Sequence, residues 1–143
     1  MLQALIVNDD FFQKSILVQM FKQAGFVTES AENGLEAYEA VQERLRDKKQ
    51  MFDVVLTDLN MPIMNGLEAS SKINELFAGN HLLRAREHED QVCPLIFMIT
   101  ANSLTDDLRQ QAAAHGIYEV LQTPMTTPTI SGKIMPLLIQ RQF

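Results

Sequence analysis

Asp58 ends the apolar run Val54-Val55-Leu56-Thr57 and immediately precedes Leu59-Asn60-Met61-Pro62. A run of that kind reads as a buried strand that delivers one carboxylate into a turn. Leu5-Ile6-Val7 ends in a similar way, in Asn8-Asp9-Asp10. If the two strands are neighbours, Asp9, Asp10 and Asp58 crowd one edge of a sheet, which is costly unless a proton or a cation neutralises them. Three carboxylates are hard oxygen ligands, suited to Mg²⁺ or Mn²⁺ rather than zinc. Mg²⁺ held by few protein groups keeps several waters and usually contacts a phosphate as well. Without metal, mutual repulsion is expected to raise at least one carboxyl pKa and to make the group titrate as a coupled unit. One of the adjacent aspartates is also expected to cap the helix that begins near Phe11. Capping leaves Asp58, on a different strand, unexplained.

Thr100 closes Leu95-Ile96-Phe97-Met98-Ile99 with a hydroxyl, followed by small Ala101. Beside the carboxylates it is a candidate donor to a phosphoryl oxygen. Other chemistry-bearing residues read as inert. Cys93 stands alone, which excludes an internal disulfide and suits a reducing compartment; it reads as a small buried hydrophobe. His81 and His88 lack a zinc-ligand spacing and read as solvated, and the methionines read as packing filler.

The elements that must position these groups alternate along the chain. Strand patterns cover Leu2 to Val7, Phe26 to Ala31, Met51 to Thr57, Pro94 to Thr100 and Tyr118 to Gln122. Ile16, Leu17, Met20, Phe21 and Ala24 recur at helical spacing, and Gly25 closes that helix. Asn33 and Glu36 resemble a capping box for a second helix carrying Leu35, Tyr38, Val41 and Leu45. Leu67, Ile73, Leu76 and Phe77 mark a third, and Thr105 to His115 a fourth, with Asp106 and Asp107 at its positive end. Thr127 and Pro128 suit the cap and first turn of a last helix, which Gly132 and Pro136 should kink, shorten or loosen. Strands without polar alternation imply an α/β fold, a parallel sheet covered by helices on both faces. Crossover helices put every strand carboxyl end on one edge, where ligands bind. The polar stretch from about 78 to 92 reads as a surface loop insertion.

Composition narrows the function. The 143 residues suit a single domain, 1–143, that buries roughly two-thirds of its unfolded surface. A formal charge of −6 and a pI near 5.0 argue against nucleic-acid binding. There is neither a polybasic run nor an apolar stretch approaching the ~18 residues of a membrane span. Met1-Leu2-Gln3 leads straight into strand pattern, so no leader is expected and the chain is expected in the cytoplasm.

Together, Leu5-Ile6-Val7-Asn8-Asp9-Asp10, Asp58-Leu59-Asn60-Met61-Pro62-Ile63-Met64-Asn65-Gly66, Thr100-Ala101 and Thr123-Pro124 resemble the receiver domain of two-component response regulators. The resemblance covers essentially the whole chain, and the longer insertion is similar to receiver modules of hybrid histidine kinases. It implies a flavodoxin-like, doubly wound five-stranded sheet in the order 2-1-3-4-5. It implies that Asp58 accepts a phosphoryl group from a histidine kinase or histidine phosphotransfer protein. Asp9, Asp10 and Asp58 would then hold Mg²⁺ or Mn²⁺ with the main-chain carbonyl of Asn60. Thr100 and Ala101 would bind and sense the phosphoryl group, and the Thr123–Pro124 peptide would be cis. Asn60 and Asn102 occupy positions that influence water access; as amides they do not promise fast self-hydrolysis.

Two residues depart from the family pattern. Thr123 stands where the family has a lysine that pairs with the phosphoryl oxygens, and Lys14 is the candidate substitute cation. Val120 stands at the usual aromatic switch position, while Tyr118 shares its strand face by alternation. The expected function is therefore a phospho-accepting receiver, with a receiver-shaped interaction module of weakened switching as the alternative. Such a chain takes part in its own phosphorylation and slow dephosphorylation, and no independent substrate turnover is expected. A phosphatase using an aspartyl intermediate would need a second acid where Asn60 stands. Output would pass to another protein or a fused domain.

Overall fold

The computed structural model describes residues 1–78 and 91–141. The bulk of the anticipated 78–92 insertion, with His81 and His88, lies outside the described residues. Five parallel strands, β1 Gln3–Val7, β2 Val27–Ala31, β3 Val54–Asp58, β4 Leu95–Thr100 and β5 Glu119–Gln122, form one sheet in the order β2-β1-β3-β4-β5. The helices are α1 Phe11–Gln23, α2 Gly34–Arg46, α3 Gly66–Ala78 and α4 Asp106–Ala114. A last helical stretch follows, with α5 Thr127–Thr129, a π-helical segment Ile130–Ile134 and α6 Met135–Arg141.

The period-two alternation of each inner strand divides its side chains between two apolar layers. Leu5, Val7, Val55, Ile96 and Met98 pack with Val41 and Leu45 of α2, Ile73 of α3 and Ala112 of α4. Ala4, Ile6, Leu56, Phe97 and Ile99 pack with Leu17 and Phe21 of α1 and with Ile130, Ile134 and Leu138 near the C-terminus. The sheet is thus covered on both faces, as the apolar strands require. β2 is an edge strand, and its residues from Val27 to Ser30 stay partly or fully exposed.

Several local expectations need correction. Ile16 and Leu35 fit the helical spacing yet are 62% and 38% exposed, because only the Leu17–Phe21 and Ala37–Val41–Leu45 stripes reach the sheet. Asn33 does cap α2, accepting from Glu36 N–H at 2.9 Å, but the Glu36 carboxylate reaches back to Glu32 N–H at 3.0 Å. The last helix is capped by Thr126 rather than Thr127. Its kink takes the form of the π segment, in which Met135 N–H donates to the Ile130 carbonyl. The wider turn lies just ahead of Pro136, whose ring would crowd the carbonyl four residues back in a regular helix.

Candidate functional site

The strand registers bring the acidic turns together. Val7 pairs with Thr57 across β1 and β3, so Asp9 and Asp10 leave the sheet beside Asp58. Asn8, fully buried, builds the first turn: its Oδ1 accepts from Asp10 N–H at 2.9 Å, and its Nδ2 donates to Gln13 Oε1 at 2.8 Å. Asp10 caps α1 by accepting from Gln13 N–H at 3.0 Å, which leaves Asp9 as the exposed acid not needed for capping. Asn8 was not singled out from sequence; a polar residue closing an apolar run was the available signal.

Asp58 is half-buried, and its Oδ1 accepts from Leu59 N–H at 2.8 Å. The turn behind it depends on Gly66, whose N–H donates to the Leu59 carbonyl at 2.9 Å. A Cβ on Gly66 would drive into the Asp58 carbonyl, so only glycine lets α3 begin this close to the end of β3. Asn65 caps α3 by accepting from Glu68 N–H at 2.9 Å. Burial raises the Asp58 pKa most; the Leu59 hydrogen bond opposes it, and the charges of Asp9 and then Asp10 add to the rise. The expected repulsion does contribute to the rise, and loss of water contributes more.

The three carboxylates reach one another through their fields, but among the described residues no group of three His, Cys, Asp or Glu side chains stands close enough to hold an ion as placed. The donors are the hard oxygens that Mg²⁺ or Mn²⁺ favours. The chemistry of the donor set fits such an ion. Asn60 lies exposed in the same turn.

Thr100 is buried, and its Oγ1 accepts from Asn102 N–H at 3.0 Å, with no acceptor for its own proton among the described residues. Ala101 and Asn102 are exposed beside it. Thr123 N–H donates to the Thr100 carbonyl at 2.9 Å, and the Thr123 hydroxyl lies 3.4 Å from the same oxygen. The Thr123–Pro124 peptide is cis. Lys14 is mostly buried, with its Nζ 3.7 Å from Glu32 on the β2 side of β1. Glu32 went unnoticed in the sequence because the pair joins two separate loops. Val120 is buried among α2–α4 side chains. Tyr118 does not share its face: it precedes β5, is 53% exposed and packs its ring 5.6 Å from that of Phe97 in the opposite layer.

Comparison with known proteins gives a consistent picture. The family described as Response regulator receiver domain matches residues 4–135. The chain is 34% identical over 126 residues to Hybrid signal transduction histidine kinase B of Dictyostelium discoideum, covering 88% of this chain and 6% of that protein. It is 36% identical over 81 residues to Chemotaxis protein CheY of Halobacterium salinarum, covering 57% of this chain and 62% of that one. It therefore spans less than two thirds of either relative. Among solved structures, the receiver domain of Saccharomyces cerevisiae Ssk1, crystallised with the histidine phosphotransfer protein Ypd1, superposes with a TM-score of 0.82 at 22% identity. That match covers 99% of this chain and 92% of the other.

Proposed function

This chain belongs to the response regulator receiver domains, and on that premise we propose that Asp58 accepts a phosphoryl group from a phosphohistidine donor in a Mg²⁺-dependent reaction. An Asp58 carboxylate oxygen attacks phosphorus as the bond to the donor imidazole breaks, and the electron pair returns to that ring. The transition state is loose and its charge sits on the equatorial oxygens, so positioning and electrostatics carry most of the catalysis. Asp9, Asp10 and Asp58, with the main-chain carbonyl of Asn60, are the groups that would hold Mg²⁺ or Mn²⁺. When bound, that ion supplies positive charge against the incoming anion. Thr100 donates its hydroxyl proton to a phosphoryl oxygen, and the Ala101 and Asn102 main chain closes around the group. Movement of Thr100 is then transmitted through its carbonyl to Thr123 and the turn at Pro124. Asn60 and Asn102 supply neither acid nor base to a hydrolytic water, so the acyl phosphate should be long-lived.

One observation carries this reading. Two neighbouring parallel strands end in carboxylates whose fields act on a half-buried Asp58. The donor class is a histidine kinase or a histidine phosphotransfer protein, and the partner of the Ssk1 receiver belongs to the second. We assign the domain as 1–143, with the segment near 78–92 as an insertion, and place it in a reducing cytoplasm, which a lone cysteine suits. No helix among the described residues is long and apolar enough to cross a membrane.

A second reading has its own support. The loops 8–10, 32–33, 59–65, 101–105 and 123–126 at the carboxyl edge contain no lysine or arginine, and Lys14 beside them is paired with Glu32. A receiver lacking a cation there, with Val120 in place of an aromatic, could bind partners without efficient switching. Incubation with acetyl phosphate and Mg²⁺, read by intact mass, separates the two. A mass gain of one phosphoryl group in wild type, absent in Asp58→Asn, supports the first reading; no gain in wild type supports the second. If Lys14 acts as the substitute cation, Lys14→Met lowers that gain and Thr123→Lys restores it.

A further inference from the structure

Polar residues end three strand rows on the side of the sheet that α1 covers. Ala4 and Ile6 of β1, Val54 and Leu56 of β3, and Leu121 of β5 belong to the layer packed on α1. By period-two alternation Asn8, Asp58 and Thr123 continue those rows at the carboxyl edge. The Val7–Thr57 register sets Asn8 next to Asp58. On this side Asp10, Gln13, Thr123 and Pro124 border one groove of about 520 Å³, and none of its lining residues is basic. Lys14, one residue on from Gln13, turns the other way, with its Nζ beside Glu32 on the β2 side.

The orientation of the Gln13 amide follows from a donor that cannot be reversed. Asp10 N–H belongs to the main chain, so the Asn8 atom 2.9 Å from it must be oxygen. The other end of the Asn8 amide is then nitrogen, and it lies 2.8 Å from Gln13, which must meet it with Oε1. Asn8 is fully buried, so these bonds are costly to break. Gln13 Nε2 is thereby turned away from Asn8, and its two protons meet no acceptor among the described residues. The Gln13 main-chain N–H is already taken by Asp10 Oδ1 at 3.0 Å. Holding Asn8 accounts for the oxygen of this half-buried amide and leaves its nitrogen without a use.

We infer that Gln13 Nε2 donates a hydrogen bond to an oxygen of the phosphoryl group on Asp58. The inference rests on the phosphoacceptor reading of Asp58 and adds a second side-chain contact to it. Thr100, in the row of Ile96 and Met98, approaches from the α2–α4 side, whereas Gln13 approaches from the α1 side. Gln13 forms and breaks no covalent bond; its hydrogen bond strengthens as charge gathers on the equatorial oxygens. A neutral amide holds that charge less firmly than a cation in the same place would.

The test compares wild type with Gln13→Leu and Gln13→Lys, neither of which can accept from Asn8. Phosphoramidate with Mg²⁺ is the donor, and Asp58 modification is followed by intact mass. Gln13→Leu should react about tenfold more slowly than wild type, and Gln13→Lys should recover at least the wild-type rate. If Gln13 served only to hold Asn8, both variants would lose rate alike, and that result would overturn the inference. So would a Gln13→Leu rate equal to wild type. A second readout is independent of transfer. In ¹⁵N-labelled wild type, beryllium fluoride with Mg²⁺ should shift the Gln13 side-chain amide pair, which is identified by its absence from Gln13→Leu. An unmoved pair would also overturn the inference. A wild type that phosphoramidate leaves unmodified would instead overturn the phosphoacceptor reading beneath it.

Discussion

Half-buried and beside two other acids, Asp58 has its pKa raised by lost hydration first and by Asp9 and Asp10 after that. A raised folded-state pKa means that folded Asp58 holds its proton more tightly than the unfolded chain does. The resulting stability is fully present below the ordinary carboxylate range and is lost as pH rises through the folded value. Above that, the ionised group is a standing cost. Asp58→Asn removes the cost, so in metal-free buffer the variant should melt above wild type at pH 7, by no more than about 1 kcal/mol after solvent screening. The difference should shrink toward pH 4. Melting curves at the two pH values check it, and a gap that widens in acid would contradict the electrostatics. The placement of Asp9, Asp10 and Asp58 together at one sheet edge was legible because each follows an apolar run. Asn8 and Glu32 were not, because their value lies in bonds to Asp10, Gln13 and Lys14 that only folded loops create.

At the scale of elements, the site is held by helix starts. The Asp10 and Asn33 caps and the Gly66 close approach set where α1, α2 and α3 leave the carboxyl edge. Asn33→Ala should cost about 1 kcal/mol by removing the Glu36 N–H acceptor. Gly66→Ala should cost roughly 1–3 kcal/mol, since its methyl must displace the Asp58 carbonyl. It should also slow Asp58 phosphorylation, where Asn33→Ala should not. Chemical denaturation and the acetyl phosphate reaction measure the two effects; equal loss of phosphorylation would show that general stability sets the rate. Caps of this kind are local and readable, as Asn33 illustrates, whereas Thr105, read as the start of its helix, is the cap of α4. The cap of the last helix fell one residue earlier, at Thr126, because two threonines in succession compete for one role. The π segment and the positive φ of Ile63 come from constraints that meet only in three dimensions: Pro136 against the preceding turn, and a loop tied to both Leu59 and Gly34.

Across the whole molecule, the parallel sheet explains why one edge collects the chemistry. Apolar runs without alternation required cover on both faces, and crossover helices then placed every strand end together. That much was readable from the pattern of Val, Ile and Leu. Which helices share a face was not, since α1 joins the C-terminal segments through Leu17, Phe21, Ile130 and Ile134, far apart in sequence. The chain carries a formal charge of −6, and its carboxyl edge is acidic. Phosphorylation by anionic acetyl phosphate at saturating Mg²⁺ should therefore quicken as KCl rises from low ionic strength to about 0.15 M, where the Debye length is about 8 Å. Slowing across that range would mean that attraction, not repulsion, governs the approach.

The most direct test follows the divalent ion by isothermal titration of Mg²⁺ into purified protein. Wild type should bind one ion per chain saturably, and Asp9→Asn/Asp58→Asn should give only the heat of dilution. Indistinguishable curves for the two proteins would contradict the assignment of these carboxylates to a shared metal site.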